Sequence, residues 1–374
     1  MIPMVDLQTQ YRNIKDEVDA AILECVNSTW FIGGPNVQSF KEKLADYLDV
    51  KHVIPCANGT DALQIAMMAL GLKPGDEVIL PAFTYVATAE VIALLGLKPV
   101  MIDVEIDTFN IKIDEIEAAI TPKTKAIVPV HLFGQVADME AIMTIATKHN
   151  LYVVEDNAQA IGADYTFSDG IVQKAGTIGH IGCTSFYPSK NLGCYGDGGA
   201  IFTNDDALGK QLQKIANHGQ DKRYYHDEVG VNSRLDAIQA AVLNIKLPLL
   251  DGYCERRNFA ADYYDAAFAN IDALIIPKRA DNSTHVFHQY TLQVTNGQRD
   301  ELGKYLKGKG ISNMIYYPVP LYKQNAYNHY YSEGFELSNT EQLCDTVLSL
   351  PMHSEFTKEQ LNYIVEAVAD FFKS

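Results

Sequence analysis

The stretch SFYPSKNLG at residues 185–193, followed by GDGG at residues 196–199, decides how the rest of the chain is interpreted. It holds a single lysine, Lys190, with the hydroxyl of Ser185 before it and flexible glycine backbone after it. A lysine amine can form a Schiff base with an aldehyde, and a serine hydroxyl can bind a phosphate. The stretch therefore indicates a site for a phosphate-bearing aldehyde, the alternative being a solvated surface lysine.

A second motif lies upstream, where LYVVED at residues 151–156 is an apolar run that ends in two acids. This pattern is typical of a buried parallel strand with Asp156 at its carboxyl end, where open α/β sheets bind their ligands. A carboxylate there can pair with a pyridine nitrogen and keep it protonated. The alternatives are a helix N-cap or a metal ligand. No metal site is expected, because no further Asp, Glu or His follows at ligand spacing.

A third motif, CANGTDALQIAMMALG at residues 56–71, predicts a turn that leads into an amphipathic helix. Gly59 and Thr60 would lie at its N-terminus, where free amides favour an anion, unless Thr60 or Asp61 is simply a cap. No Walker A pattern and no GxGxxG pattern occurs in the sequence. The predicted phosphate site therefore differs from those of P-loop and Rossmann proteins.

Composition limits the class of protein. The 374 residues carry a net charge of −17, which argues against nucleic-acid binding. No apolar run reaches the roughly 20 residues of a membrane helix, and no targeting signal is visible, so a cytoplasmic location is expected. Six scattered cysteines are expected to be reduced thiols. Positive charge gathers in residues 217–236, where we expect Arg223 and Arg234, but not Lys222, to serve function.

Alternating strands and helices predict an α/β fold with a mostly parallel sheet. Strands are expected at residues 77–80, 99–104, 124–130, 151–154 and 199–203, and helices at residues 88–95, 113–120 and 139–148. This places Lys190 on the loop before the last of these strands. A helix over residues 247–267 would link a large domain, residues 1–250, to a small C-terminal α+β domain, residues 251–374. The small domain would contain a strand at Leu292 and helices over residues 299–308 and 357–372.

The motifs together resemble the DegT/DnrJ/EryC1/StrS family over essentially the whole chain. ANGTDA (57–62), PAFTYVAT (81–88), EDNAQ (155–159), SFYPSKN (185–191) and GVNSRLD (230–236) occur in the family order. The resemblance implies a transaminase that depends on pyridoxal 5′-phosphate (PLP), with the aspartate aminotransferase-like fold of type I. It also implies a homodimer whose two active sites are shared between subunits.

Residue roles follow from the same resemblance. Lys190 would form the Schiff base and move the proton, Asp156 would pair with the pyridine nitrogen, and Gln159 would bond the phenolic oxygen. Tyr85 would stack on the cofactor ring, with Ala158 on the opposite face. Gly59, Thr60 and Ser185 would hold the phosphate, joined by Asn232 from the partner subunit.

The resemblance also implies the substrates. L-Glutamate would supply the amino group and a nucleotide-linked keto-sugar would receive it, with ping-pong kinetics. Residues 217–226 and 230–236 resemble the branch that acts on UDP-2-acetamido-2-deoxy-3-oxo-D-glucuronate for surface polysaccharide, including lipopolysaccharide O-antigen. The residues implied to contact the sugar are Arg234, Tyr316, Tyr317, Phe31 and His131.

Other functions stay open at this point. A dTDP-linked 3-keto- or 4-keto-6-deoxyhexose is the close alternative substrate, and a noncatalytic sensor with the same fold is a second class. A nicotinamide-dependent epimerase or dehydrogenase is disfavoured, because Tyr187 stands three residues before Lys190 where four are needed. Three residues depart from the family pattern: Tyr316 replaces a histidine, and Asn157 and His180 are expected to be structural.

Overall fold

The computed structural model describes residues 1–373 of the chain. The helices are α1 (Leu7–Asn13), α2 (Lys15–Ser28), α3 (Gly34–Leu48), α4 (Gly59–Ala69), α5 (Ala87–Leu94), α6 (Ile113–Ala119), α7 (Met139–His149), α8 (Asp206–Ala216), α9 (Ala237–Lys246), α10 (Leu250–Phe268), α11 (Arg299–Gly308), α12 (Ser338–Thr346) and α13 (Lys358–Lys373). The strands are β1 (His52–Cys56), β2 (Glu77–Pro81), β3 (Lys98–Ile102), β4 (Thr124–Ile127), β5 (Tyr152–Asp156), β6 (Asp164–Thr166), β7 (Val172–Lys174), β8 (Ile181–Ser185), β9 (Gly199–Thr203), β10 (Gln220–Lys222), β11 (Tyr225–His226), β12 (Leu274–Ile275), β13 (Tyr290–Val294) and β14 (Val347–Leu350).

Seven strands form the central sheet in the order β1-β9-β8-β5-β4-β2-β3. The pairs from β3 to β8 are parallel, whereas β9 runs antiparallel to both β8 and β1. Strands β2, β8 and β9 are buried along their whole length, as expected for a sheet covered on both faces. The predicted α/β class with a mostly parallel sheet is therefore confirmed.

Helices cover both faces of this sheet. Apolar residues of α3, α6, α7 and α9 pack against one face, and those of α4, α5 and α8 pack against the other. Because the parallel strands and β1 all point the same way, their carboxyl ends meet at one edge. The residues that follow β1, β2, β5 and β8 are thereby brought together.

The observed elements differ from the predicted ones at several points. Neither β1 nor β8 was predicted; β1 pairs with β9 at the sheet edge, and β8 lies between β5 and β9. Strand β4 ends at Ile127 rather than at residue 130, ahead of Pro129, which has no N–H for a ladder hydrogen bond. Helix α10 begins at Leu250 rather than at residue 247, because Pro248 lies in a separate 3₁₀ turn, Leu247–Leu249.

A smaller unit lies at the C-terminal end. Its three-stranded antiparallel sheet has the order β12-β13-β14 and shares a core with α10, α11 and α13. The predicted boundary at residue 250 stays a prediction. Within residues 1–373, no helix combines the length and apolar character needed to cross a membrane, and no cluster of metal-ligating side chains is found.

Candidate active site

A cavity of about 730 Å³ opens at the edge where the carboxyl ends of the parallel strands meet. Asp156 ends β5, Ser185 ends β8, and Asn58 and Thr84 follow β1 and β2. The lining includes Gly59, Thr60, Tyr85, Asp156, Ala158, Gln159, Ser185, Lys190, His288, Gln289, Tyr316 and Tyr317. The structure thus gathers ten of the fourteen predicted site residues into one concave surface.

Lys190 lies on the loop between β8 and β9, as the sequence predicts. Its backbone N–H donates to the Tyr187 carbonyl at 2.8 Å, and Cys194 N–H donates to Phe186 O at 2.8 Å, which closes the loop. Burial lowers the pKa of Lys190 to about 8, and the negative charge of Asp156 opposes that shift. An amine with this pKa can lose its proton near neutral pH, as a Schiff-base lysine must.

The carboxylate of Asp156 is held from two sides at the floor of the cavity. Its Oδ2 accepts a hydrogen bond from Thr88 Oγ1 at 2.7 Å, and its Oδ1 accepts one from Ala158 N–H at 3.2 Å. Asp156 is only 6% exposed. These contacts keep the carboxylate in one orientation, with its remaining acceptor capacity for a ring nitrogen.

Gln159 presents its amide donor toward the cavity. Its Oε1 accepts from Phe133 N–H at 2.7 Å, which leaves Nε2 to donate to Tyr317 Oη at 3.3 Å. The Tyr85 ring lies 6.4 Å from that of Tyr317 and is 58% exposed at the cavity. A donor that faces a phenolic oxygen and an aromatic ring that is free to stack both suit a pyridoxal ring.

The N-terminus of α4 and Ser185 form a cradle suited to a phosphate. Asn58, rather than Thr60 or Asp61, is the N-cap, because its Oδ1 accepts from Asp61 N–H at 2.8 Å. A Cβ at Gly59 would lie 2.8 Å from Ser185 Cβ, so only glycine allows this approach. The hydroxyl of Thr84 is buried without a partner among residues 1–373. These residues therefore fit the phosphate and ring of PLP.

Four predicted residues lie outside this cavity. Asn232 and Arg234 line a second pocket, which meets the cavity at Asp197. Phe31 is 46% exposed and lines neither space, although its neighbour Ile32 lines the second pocket. Arg234, predicted for the sugar, and Asn232, predicted for the partner's phosphate, thus share one pocket, whereas Tyr316 and Tyr317 line the main cavity with the residues predicted for the ring.

His131 needs a correction, because it is 0% exposed and does not line the cavity. Its Nε2 lies 2.8 Å from Glu155 Oε2, and its Nδ1 accepts from Ala137 N–H at 3.2 Å. Glu155 also accepts from Gly176, Ile178 and Gly179 N–H groups. His131 therefore supports the loops behind the strand ends and presents no surface to a sugar in this chain.

The comparisons with known proteins agree with this geometry. Residues 12–369 match the model of the DegT/DnrJ/EryC1/StrS aminotransferase family. The chain belongs to the DegT/DnrJ/EryC1/StrS aminotransferase family. It is therefore an aminotransferase of the PLP-dependent type I fold, as the sequence motifs predict.

Three relatives align with nearly the full length of this aminotransferase. A pleiotropic regulatory protein of Geobacillus stearothermophilus is 47% identical, over 100% of this chain and 99% of the relative. The UDP-2-acetamido-2-deoxy-3-oxo-D-glucuronate aminotransferase of Pseudomonas aeruginosa is 45% identical, over 99% and 100%. The dTDP-3-amino-3,4,6-trideoxy-alpha-D-glucose transaminase of Streptomyces venezuelae is 37% identical, over 99% and 96%.

Solved structures share the architecture. A DegT DnrJ EryC1 StrS aminotransferase from Brucella abortus superimposes with a TM-score of 0.94 at 40% identity, and each chain is covered completely. NtdA from Bacillus subtilis, solved with bound cofactor PMP, gives a TM-score of 0.89 at 32% identity over 97% of this chain and 82% of that one. PLP is accordingly the cofactor of this aminotransferase.

Sequence reasoning missed several residues of the cavity wall. Thr88 lies on the buried face of α5 and bonds Asp156, and a buried hydroxyl in the otherwise apolar start of that helix was the available signal. His288 and Gln289 line the cavity just before β13. Nothing in their local pattern connects them with Lys190, because that proximity arises from packing. Asn157 Nδ2 donates to Ala175 O, and His180 Nδ1 accepts from Val153 N–H. These contacts with the backbone suit the structural roles expected of both residues.

Proposed function

We propose that this aminotransferase moves the amino group of L-glutamate to carbon 3 of UDP-2-acetamido-2-deoxy-3-oxo-D-glucuronate, to make an amino sugar for a surface polysaccharide. The observation that carries this proposal is the 45% identity, across the whole chain, to the Pseudomonas aeruginosa enzyme that acts on this substrate. The cavity built around Lys190 supplies the groups that the reaction requires.

PLP, when bound, supplies an aldehyde that takes up an amino group and a ring that withdraws electrons. Lys190 Nζ would bind that aldehyde at rest. Once displaced by the amino donor, the same nitrogen would hold the proton that leaves the donor α-carbon. Its lowered pKa keeps the proton exchangeable near neutral pH.

The other residues would orient the cofactor. Asp156, fixed by Thr88, would face the pyridine nitrogen, and Gln159 Nε2 would donate to the phenolic oxygen. The amides at the start of α4 and the Ser185 hydroxyl would hold the phosphate. Tyr85 and Ala158 line the cavity at positions suited to the two faces of the ring.

A homodimer with shared sites completes the proposal. Asn232 and Arg234 line the second pocket and make no contribution to the lining of their own chain's main cavity. We assign them to the active site of the partner subunit, where Asn232 would bind the phosphate. The guanidinium of Arg234 suits the carboxylate of a uronate, because its planar fork binds carboxylates bidentately.

The visible absorbance of the purified, PLP-loaded enzyme tests the proposal. L-Glutamate should bleach the band of the bound cofactor, and UDP-linked 3-oxo-uronate should restore it. A dTDP-linked keto-sugar is the second candidate, favoured by the 37% identity to the Streptomyces venezuelae transaminase. Restoration by the dTDP sugar alone would replace the UDP substrate. A chain that binds PLP but never loses the band with any amino donor would point instead to a sensor.

A further inference from the structure

A buried histidine shares the cavity with Lys190. His288 precedes β13, lines the cavity and is only 4% exposed. Its Nδ1 is buried and has no hydrogen-bond partner among residues 1–373. Because an unpaired polar atom in a protein interior is costly, a buried imidazole with a free nitrogen beside a reacting group calls for an explanation.

Hydrogen bonds made by Arg257 and Gln289 fix the backbone around His288. Arg257, on α10, is buried and donates from Nη1 to the carbonyls of Phe287 at 2.9 Å, His288 at 3.2 Å and Met352 at 3.1 Å. The next residue, Gln289, donates from its N–H to Phe133 O at 3.3 Å. The imidazole therefore extends from a fixed stretch of chain, which is what a group with a directional contact requires.

The charge state of His288 suits an acceptor. Burial lowers its pKa well below the ordinary value, and the positive charges of Lys190 and Arg257 lower it further. The imidazole is therefore neutral near pH 7 and has one lone pair to offer. The other titratable groups that line the cavity are Asp156, Asp197, Tyr85, Tyr187, Tyr316 and Tyr317. Asp156 is already bonded to Thr88 and Ala158 and is assigned to the ring nitrogen.

We infer that His288 is a positioning residue for Lys190: its neutral imidazole accepts a hydrogen bond from Lys190 Nζ whenever that nitrogen carries a proton. A partly buried ammonium needs such an acceptor. Within residues 1–373, Lys190 is influenced by burial and by the charge of Asp156, with no side-chain hydrogen bond to its Nζ. The contact would keep the freed amine directed at the reacting carbons. This inference rests on the role proposed for Lys190.

The first test uses the cofactor-free protein. Only the unprotonated amine attacks an aldehyde, so the rate at which added PLP forms its visible adduct reports the protonation of Lys190 across pH. The wild-type midpoint is expected near the Lys190 pKa of about 8. His288→Leu removes the acceptor that favours the charged form and should lower the midpoint by about one pH unit. His288→Gln, which keeps an acceptor oxygen, should stay close to wild type.

The second test uses the PLP-loaded enzyme and L-glutamate in a single turnover. His288→Leu should bleach the cofactor band roughly 10- to 100-fold more slowly, because a misdirected amine loses the benefit of orientation. The apparent affinity for glutamate should stay within about twofold. General structural damage would slow both reactions. A variant that reacts faster with free PLP and slower with glutamate therefore indicates a specific effect on Lys190.

The matched control is His285→Leu. His285 is also buried and lies three residues earlier, but it stacks on Phe287 and does not line the cavity. Its midpoint should equal that of wild type. Should His288→Leu fail to fold, His288→Met replaces it, because the flexible thioether is only a weak acceptor.

The outcomes separate the two proposals. An unchanged midpoint in His288→Leu, or the same shift in His285→Leu, would overturn the role of His288 and leave Lys190 in place. A wild-type chain whose adduct forms on a lysine other than Lys190, shown by peptide mapping after borohydride reduction, would overturn the proposed site itself.

Discussion

The hydroxyl of Thr88 donates a hydrogen bond of 2.7 Å to the carboxylate of Asp156 at the cavity floor. Both groups are buried, so water cannot replace the hydrogen bond when it is lost. Thr88 would therefore act on the cofactor through Asp156, by fixing which oxygen faces the ring.

Thr88→Val tests this contact because it removes the hydroxyl and keeps the shape. A hydrogen bond to a charged group contributes about 1.5–3 kcal/mol, so kcat/KM should fall about 10- to 100-fold. Steady-state kinetics with glutamate and the keto-sugar check this. Thr184→Val is the control: it removes a buried hydroxyl on β8 that donates to Asn157 O, and it should leave kcat/KM unchanged. Equal kinetics in both variants would contradict the role of Thr88.

At the scale of the element, the N-terminus of α4 is defined by Asn58 and by the absence of a side chain at Gly59. The cap satisfies one helical N–H and leaves the neighbouring amides directed at the cavity. Ser185, at the end of β8, lies against the same turn. The helix and the strand therefore build the phosphate cradle jointly, and neither element would do so alone.

Gly59→Ala should push helix α4 and strand β8 apart. The new Cβ would lie 2.8 Å from Ser185 Cβ, so the helix or the strand must move. PLP affinity should fall about tenfold or more, since even a small displacement weakens phosphate hydrogen bonds. Equilibrium titration of the cofactor-free protein with PLP measures this. Gly308→Ala, at the end of α11 where a Cβ meets nothing within 4 Å, should bind PLP like wild type. Wild-type affinity in Gly59→Ala would show that the cradle does not hold the phosphate.

For the whole molecule, buried neutral histidines couple folding to pH. Burial lowers the pKa of His285 to about 3 and that of His353 to about 4, from the ordinary 6.5. At pH values between these lowered pKa values and 6.5, the two imidazoles bind protons in the unfolded chain but stay neutral in the folded chain. Stability should therefore fall as the pH decreases below about 6.5, by up to about 1.4 kcal/mol per pH unit for each residue.

Thermal unfolding from pH 7 to pH 5 measures this effect. His353→Gln should show a shallower decline than wild type, because one proton-linked group is gone. A melting temperature that does not change over this range, or an equal slope in the variant, would contradict the buried neutral state.

The proposed sharing of active sites also belongs to the whole molecule. Lys190→Ala and Asn232→Ala homodimers should each be nearly inactive. If Asn232 completes the partner's site, subunits exchanged between the two variants restore one intact site per mixed dimer, about a quarter of wild-type activity. Mixing followed by an activity assay tests this, with Lys190→Ala and Asp156→Asn as the control pair. Lys190 and Asp156 line the same chain's cavity, so each site of that mixed dimer carries one mutation and no activity should return. No recovery with Asn232→Ala, or equal recovery in the control pair, would contradict shared sites.

The sequence by itself determined the α/β class, the order of the parallel strands along the chain and the family, because those depend on local periodicity and on motifs such as residues 155–159 and 185–191. It also placed Asp156 at the carboxyl end of a strand, where a parallel sheet collects its ligands, and Lys190 on the loop before the strand at residues 199–203. Only the tertiary structure decided that His131 turns inward to Glu155, that Asn232 and Arg234 occupy a separate pocket, and that Thr88 and His288 face the cavity. The physical reason is that side-chain direction and burial depend on contacts between elements far apart in sequence, and no local pattern records those contacts.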